Sequence, residues 1–290
     1  MPTHGALAGA VEFGERSNNR ALRGLVLWNA ACLDAPCVVV LWAAAFAQAL
    51  GPGIDAIPMA LLFSGVWMGY CIDRLADGLR LGPDLALTTR HRFAIRYRRR
   101  LMLGVGLALP ITTLLGLLVL PRAQLAAGSA IAALAALHTV IAQGAPGRGR
   151  RLVPRELVVG GLLALACGVF ALPDGGPACV CVALAALFTL DCWIVADFEV
   201  ASDRRRGEAS LARRWAWASR ALPGLGALAG LAAGFAWATD SGPTRPLWLG
   251  LAVGAAGLAL LTRTRPRPAE LRPALADLAL CFGALCALLA

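Results

Sequence analysis

The sequence predicts an all-α, polytopic membrane protein, and three observations predict it. Of 290 residues, 59% are hydrophobic and only 15% are charged, too few polar groups to clothe a soluble chain of this length. Apolar runs of roughly 20 residues recur along the whole chain, each long enough to cross the hydrocarbon core of a bilayer. The 27 basic residues, every one an arginine, fall almost entirely in alternate connections between those runs, as the positive-inside rule requires of a multi-span protein.

Read in chain order, the runs give nine transmembrane helices, at 25–50, 54–77, 101–120, 123–143, 156–173, 177–197, 216–239, 246–262 and 273–290. The first closes at the turn "GPG", residues 51–53. The fifth and sixth are parted by "PDGGP", 173–177, and the seventh and eighth by "DSGPTRP", 240–246; Gly and Pro punctuate helices in this way. Arginine-bearing segments separate the others. In the seventh run, "GLGALAGLAAG" spaces Gly226, Gly230 and Gly234 for close helix packing. With the N-terminus cytoplasmic, 25 of the 27 arginines lie inside, and only Arg122 and Arg245 lie outside. The expected organisation is a cytoplasmic N-terminal tail, 1–24, and a single transmembrane domain, 25–290, with long cytoplasmic loops near 78–100 and 198–215.

This placement also disposes of other readings. The net charge of +10 is topological, so no nucleic-acid partner is implied. The N-terminus lacks the basic start of a signal peptide. Nine cysteines form no CxxC pair and no zinc-type spacing with histidine, and read as small apolar packing residues.

Chemistry concentrates at the ends of two runs. In "GYCIDRLADGLR", 69–80, Asp73 and Asp77 stand four residues apart, hence on one helix face. In "DCWIVADFEVASDRRRGEASL", 191–211, Glu199 and Asp203 repeat that spacing, with Asp197 just before them. Like charges on one face repel, so something positive must offset them. Two such pairs facing one cavity suit Mg²⁺, a hard cation that takes carboxylate oxygens and keeps positions open for phosphate. Arginines stand beside both, among them Arg74, Arg148, Arg151 and Arg204, with His91, Arg92 and Arg96 in the first long loop. Metals with guanidinium forks are what a diphosphate needs.

These residues resemble the UbiA-type intramembrane prenyltransferases. "DRLAD", 73–77, and "DFEVASDRRRGEASL", 197–211, are similar to the two aspartate-rich motifs of that family, and "GRGRRLVPRELVVGG", 147–161, to its basic loop and the start of its fifth helix. The resemblance covers nearly the whole chain. It implies a UbiA-like bundle of nine helices, in a bacterial-type inner membrane, that moves a prenyl group from a prenyl diphosphate to a lipophilic or aromatic acceptor. By the same resemblance, Asp73, Asp77, Glu199 and Asp203 are the catalytic, Mg²⁺-binding acids, and Arg74, Arg148, Arg151 and Arg204 bind the diphosphate. The chain departs from the family pattern at Gly69, where Asn is usual, and at Glu199, where Asp is usual.

Asp34, Asp191 and Asp277 fall inside apolar runs, where an ionisable group defaults to a functional role. Asn29, Asp34, Asp191 and Asp197 are the candidates to line the cavity or meet the acceptor, and Asp197 also stands near enough to compensate for the missing Asn. His138 reads as a packed histidine. Two alternatives share these residues: a UbiA-type terpene cyclase, in which the allylic cation closes on itself, and a small transporter with the acids as an ion path.

Overall fold

The computed structural model of the chain describes residues 20–51, 53, 55–85, 88–144, 154–171, 177–206, 210–215, 217–266 and 269–290. Every regular element among them is helical. The α-helices are α1 (Arg20–Ala30), α2 (Asp34–Leu50), α3 (Ala56–Leu85), α4 (Thr89–Arg96), α5 (Arg98–Val119), α6 (Arg122–Gly144), α7 (Arg155–Cys167), α8 (Ala178–Arg206), α9 (Leu211–Arg214), α10 (Leu222–Thr239), α11 (Arg245–Thr264) and α12 (Arg272–Leu289). Short 3₁₀ turns at Ala218–Ala221 and Ala269–Leu271 lead into α10 and α12. Ala and Leu dominate these segments, and both favour helix. Inside a bilayer the helix also satisfies every backbone group within its own segment.

Seven of the helices are long and apolar enough to cross a membrane, or eight if α1 and α2 count as one bent span. A helix stands at each of the nine expected positions, but two of them differ from a plain crossing. The first run is broken: α1 and α2 meet at 84°. Cys32 at the break takes φ 60°, a left-handed conformation that a β-carbon disfavours by about 1–2 kcal/mol. Neighbours hold it there. Trp67 Nε1 donates to the Ala31 carbonyl at 3.2 Å, and Asn29 Nδ2 donates to Asp34 Oδ2 across the corner. The fifth run is short: α7 has 13 residues, about 20 Å at the α-helical rise.

The two long connections are also mostly helix. α3 continues to Leu85 and α8 to Arg206, well past their apolar stretches, and α4 fills much of what was expected to be a loop near 78–100. Helix likewise begins at Arg20, inside the expected tail.

α2, α8, α11 and α12 surround the main core, where Trp42, Phe46, Leu184, Phe188, Leu247, Leu258 and Leu280 are fully buried. Small residues let these helices approach. A β-carbon on Gly250 would sit 2.6 Å from the Gly283 carbonyl oxygen and 2.8 Å from Ala287 Cβ. Gly160 of α7 lies against the Thr189 backbone of α8, where a β-carbon would meet its nitrogen at 2.6 Å. Of the α10 glycines, Gly226 packs on Ala259 and Gly230 on the Ala252 carbonyl, whereas Gly234 faces open space. α5 and α6 bury almost none of their surface within the chain and present Leu103, Leu107, Ile111, Leu118, Leu137 and Val140 outward.

Candidate active site

The site sits where α4 and the first turn of α7 meet α3 and α8 near the limits of their apolar spans, and local helix chemistry aims each side chain. Thr88 caps α4: its hydroxyl oxygen accepts from the His91 backbone N–H and the hydroxyl also meets His91 Nδ1. An N-cap of this kind fixes where a helix starts. It therefore fixes where Arg90 and His91, in the first turn, point. α7 starts at Pro154, whose extended backbone sets Arg155 and Glu156 in the first turn.

The two acidic motifs meet through α4. Arg90 Nη2 donates to Glu199 Oε1 on α8. The next residue, His91, places Nε2 3.7 Å from Asp77 Oδ2 on α3. Asp77 and His91 are both buried, at 4% and 1% exposed. Burial works against the Arg90 charge, but the carboxylates of Glu199, Asp34 and Asp277 together outweigh it and hold the guanidinium pKa above its ordinary value. Asp73, one turn before Asp77, accepts from Arg155 Nη2 of α7 at 2.7 Å. Glu156, buried, accepts from the Leu211 backbone N–H at 2.9 Å, which ties α7 to the start of α9.

The remaining predicted residues distribute as follows. Arg74 is buried, with its charge acting on Cys32 and Tyr70. Arg204 is exposed. Asp197 pairs with Arg265 at 3.1 Å, a residue from the end of α11, and Phe198 lies under the Arg272 guanidinium, 5.2 Å from its ring centre. Asn29 and Asp34 bond to each other, and Asp191 is buried on α8. Arg148, Arg151 and the side chain of Asp203 lie outside the described residues. A groove of about 460 Å³ opens beside α4, lined by Ala31, Leu33, Trp67, Phe93, Tyr97, Arg100 and Leu101; none of the acidic residues lines it.

Two residues that meet the motif acids were not singled out in the sequence: Arg90, which adjoins His91 and meets Glu199, and Arg155, one of a run of arginines, which meets Asp73. The Thr-Thr-Arg-His stretch offers a signal for both α4 and Arg90, since Thr before a charged turn marks a helix start. By contrast, Arg96 faces the Tyr97 ring at 5.8 Å, and the charge that acts on Arg92 is that of Glu270.

The donor chemistry suits magnesium, since Asp73, Asp77 and Glu199 are hard oxygen ligands. Among the described residues no group of three or more His, Cys, Asp or Glu is gathered closely enough to hold a metal ion. Each of the three acids instead meets a basic side chain. The site thus balances carboxylates with positive charge, the same balance that divalent cations provide.

No family model matches the chain, and no curated protein matches it. Among solved structures, one of a digeranylgeranylglyceryl phosphate synthase in membranes is similar over 90% of this chain and 96% of that one, at 15% sequence identity and a TM-score of 0.48.

Proposed function

We propose that this chain is an integral-membrane, Mg²⁺-dependent prenyltransferase that moves an isoprenyl group from a prenyl diphosphate to an acceptor. The observation that carries the reading is the joining of Asp77 and Glu199, acids of two separate motifs, through the neighbouring residues His91 and Arg90. An ion path in a transporter would place its acids near mid-membrane. Here Asp77 and Glu199 stand within two residues of where the apolar spans of α3 and α8 end, at Leu79 and Val200.

In this reading Asp73, Asp77, Glu199 and Asp203 hold magnesium, which when bound would neutralise the diphosphate oxygens. Arg74, Arg148, Arg151 and Arg204 bind the remaining oxygens, and Arg155 and Arg90 join them, since both already stand beside the acids. As the allylic carbon–oxygen bond breaks, negative charge builds on the departing diphosphate. Fixed guanidinium groups stabilise that charge without reorganising. The apolar bundle keeps water from the allylic cation until the acceptor, met by Asn29, Asp34, Asp191 and Asp197, attacks. The chain crosses the membrane nine times, with α7 completing the fifth crossing and the N-terminus cytoplasmic.

The test is turnover of labelled geranylgeranyl or farnesyl diphosphate in membranes that contain the full chain. Asp73→Ala and Asp203→Ala are each expected to lower turnover by about 100-fold or more, the scale of removing a group that stabilises developing charge. Chelation by EDTA is expected to stop turnover and added Mg²⁺ to restore it. Wild-type turnover in both variants would remove these acids from the mechanism.

A further inference from the structure

We infer that the groove beside α4 binds an anionic phospholipid of the surrounding bilayer, with the lipid phosphate on Arg100 and Arg96 and an acyl chain along α5; the inference stands apart from the proposed prenyl transfer. The groove, of about 460 Å³, falls in the size range of small-molecule sites. Separate parts of the fold build it: Ala31 and Leu33 from the α1–α2 corner, Trp67 from α3, Phe93 from α4, and Arg100 and Leu101 from α5, with Tyr97 at the α4–α5 joint. Its walls are fixed. Trp67 Nε1 donates to the Ala31 carbonyl at 3.2 Å, and the far edge of the Trp67 ring packs on Gly104, where a β-carbon would come within 3.0 Å of Cη2. The Phe93 and Tyr97 rings lie with their centres 4.6 Å apart.

Its chemistry divides into an apolar floor and a basic rim. The Arg100 guanidinium stands 5.6 Å from the Tyr97 ring centre and that of Arg96 stands 5.8 Å from it, so one aromatic ring gathers two cations at the rim. Arg98 and Arg99 lie beside them, both exposed. The chain carries no Asp or Glu between Asp84 and Glu156. Among the described residues no carboxylate pairs with Arg98, Arg99 or Arg100. In this the rim differs from Arg90 and Arg155, which each face an acid of the candidate active site. Clustered guanidinium groups call for an anion, and a phosphate matches their forked donors.

Position then makes that anion a lipid. Arg98 opens the apolar span of α5, which runs to Val119, so the rim stands where headgroups meet hydrocarbon. Leu103 and Leu107 follow Arg100 by three and seven residues, on the same helix face, and each is 67% exposed. A phosphate seated on Arg100 therefore lays its acyl chain along these leucines, with Trp67, Phe93 and Leu101 covered at the level of the glycerol. Free phosphate would leave that apolar floor in water, and a choline headgroup would bring a cation to the arginines. Basic pockets between transmembrane helices take acidic headgroups for these reasons.

Titration of the full chain in detergent with phosphatidylglycerol or with phosphatidylcholine of the same acyl chains, read by native mass spectrometry, tests the inference. Wild type is expected to hold phosphatidylglycerol about tenfold more tightly than phosphatidylcholine. Arg100→Gln is expected to weaken phosphatidylglycerol binding by about fivefold, the scale of one arginine at a membrane surface, and to leave phosphatidylcholine binding unchanged. Arg263→Gln, at an exposed arginine of α11 that does not line the groove, is expected to change neither. Phosphatidylglycerol is also expected to slow amide hydrogen exchange across residues 93–101, and inorganic phosphate is not. Equal binding of the two lipids by wild type would overturn the inference, as would unchanged affinity in Arg100→Gln. So would an equal loss in Arg263→Gln, which would mean diffuse surface charge, or protection of 93–101 by inorganic phosphate alone, which would mean a free-anion site. A dimer that retains no lipid would give the groove to a second copy of the chain and would overturn it too.

Discussion

Arg90 and Arg155 both face a motif acid, yet they differ in what their removal costs. The Arg90–Glu199 side chains are 10% and 16% exposed, whereas those of Arg155 and Asp73 are 39% and 24% exposed. Breaking a buried pair by deleting one partner costs about 3 kcal/mol or more, because the other charge stays out of water. A pair open to solvent contributes about 1 kcal/mol or less. Arg90→Ala is therefore expected to lower thermal stability in detergent markedly, by about 3 kcal/mol, and Arg155→Ala to change it little. Both are expected to reduce prenyl diphosphate turnover. Equal thermal stability of the two variants would contradict the burial argument. The acids themselves were legible in the sequence, because a four-residue spacing puts carboxylates on one helix face whatever the tertiary fold. Their partners were not: Arg90 and Glu199 are 109 residues apart, and many arginines compete for each acid.

At the scale of elements, α4 is the piece that joins the motifs, and its start depends on Thr88. Thr88→Ala removes the cap, a loss of about 1 kcal/mol. The expected result is faster amide hydrogen exchange at residues 91–93, with exchange in α3 and α8 unchanged; unchanged exchange at 91–93 would show that α4 is held by other contacts. Helix packing gives a sharper pair. Gly160 has the Thr189 backbone where a β-carbon would go, while Gly161 has nothing within 4 Å. Gly160→Ala is expected to destabilise the α7–α8 pair by about 1–3 kcal/mol through overpacking. Gly161→Ala, one residue away, is expected to leave stability unchanged or slightly raised, since Ala favours helix over Gly. Thermal unfolding of the two variants side by side checks this. The elements show where hydropathy reading stops. It marks where lipid contact ends, so α3 and α8 overran their expected limits. It also passed over the α1–α2 corner, because no Gly or Pro marks "NAACLD" and the bend is held by the Asn29–Asp34 bond across it and by Trp67 from α3.

For the whole molecule, the outward leucines of α5 and α6 and the seven long apolar helices place the chain in the bilayer. It is expected to stay in the membrane pellet through alkaline carbonate extraction and to enter solution only with detergent. Release by carbonate would contradict this. The count of crossings is a separate matter, since nine and eight put the C-terminus on opposite sides. In a bacterial host, nine crossings with the N-terminus inside predict an active C-terminal alkaline phosphatase fusion and a dark C-terminal fluorescent-protein fusion. The reverse pattern would mean that α7 or the bent α1–α2 pair does not cross. Composition and arginine placement made the class of fold legible at this scale, because both follow from the solvent. The way the helices converge depended on α4 and on glycine contacts, of which only the four-residue spacing of Gly226 and Gly230 in α10 was visible as a period.

The central claim is that the ends of α3 and α8 serve one diphosphate. A double-mutant cycle on Asp77→Asn and Glu199→Gln, read by equilibrium binding of geranylgeranyl diphosphate in the presence of Mg²⁺, tests it most directly. If both acids hold the same bound group, each single variant weakens binding and the double variant is little worse than either, because residues that act as a unit are not additive. Losses that simply add, or singles that bind as wild type does, would contradict the account.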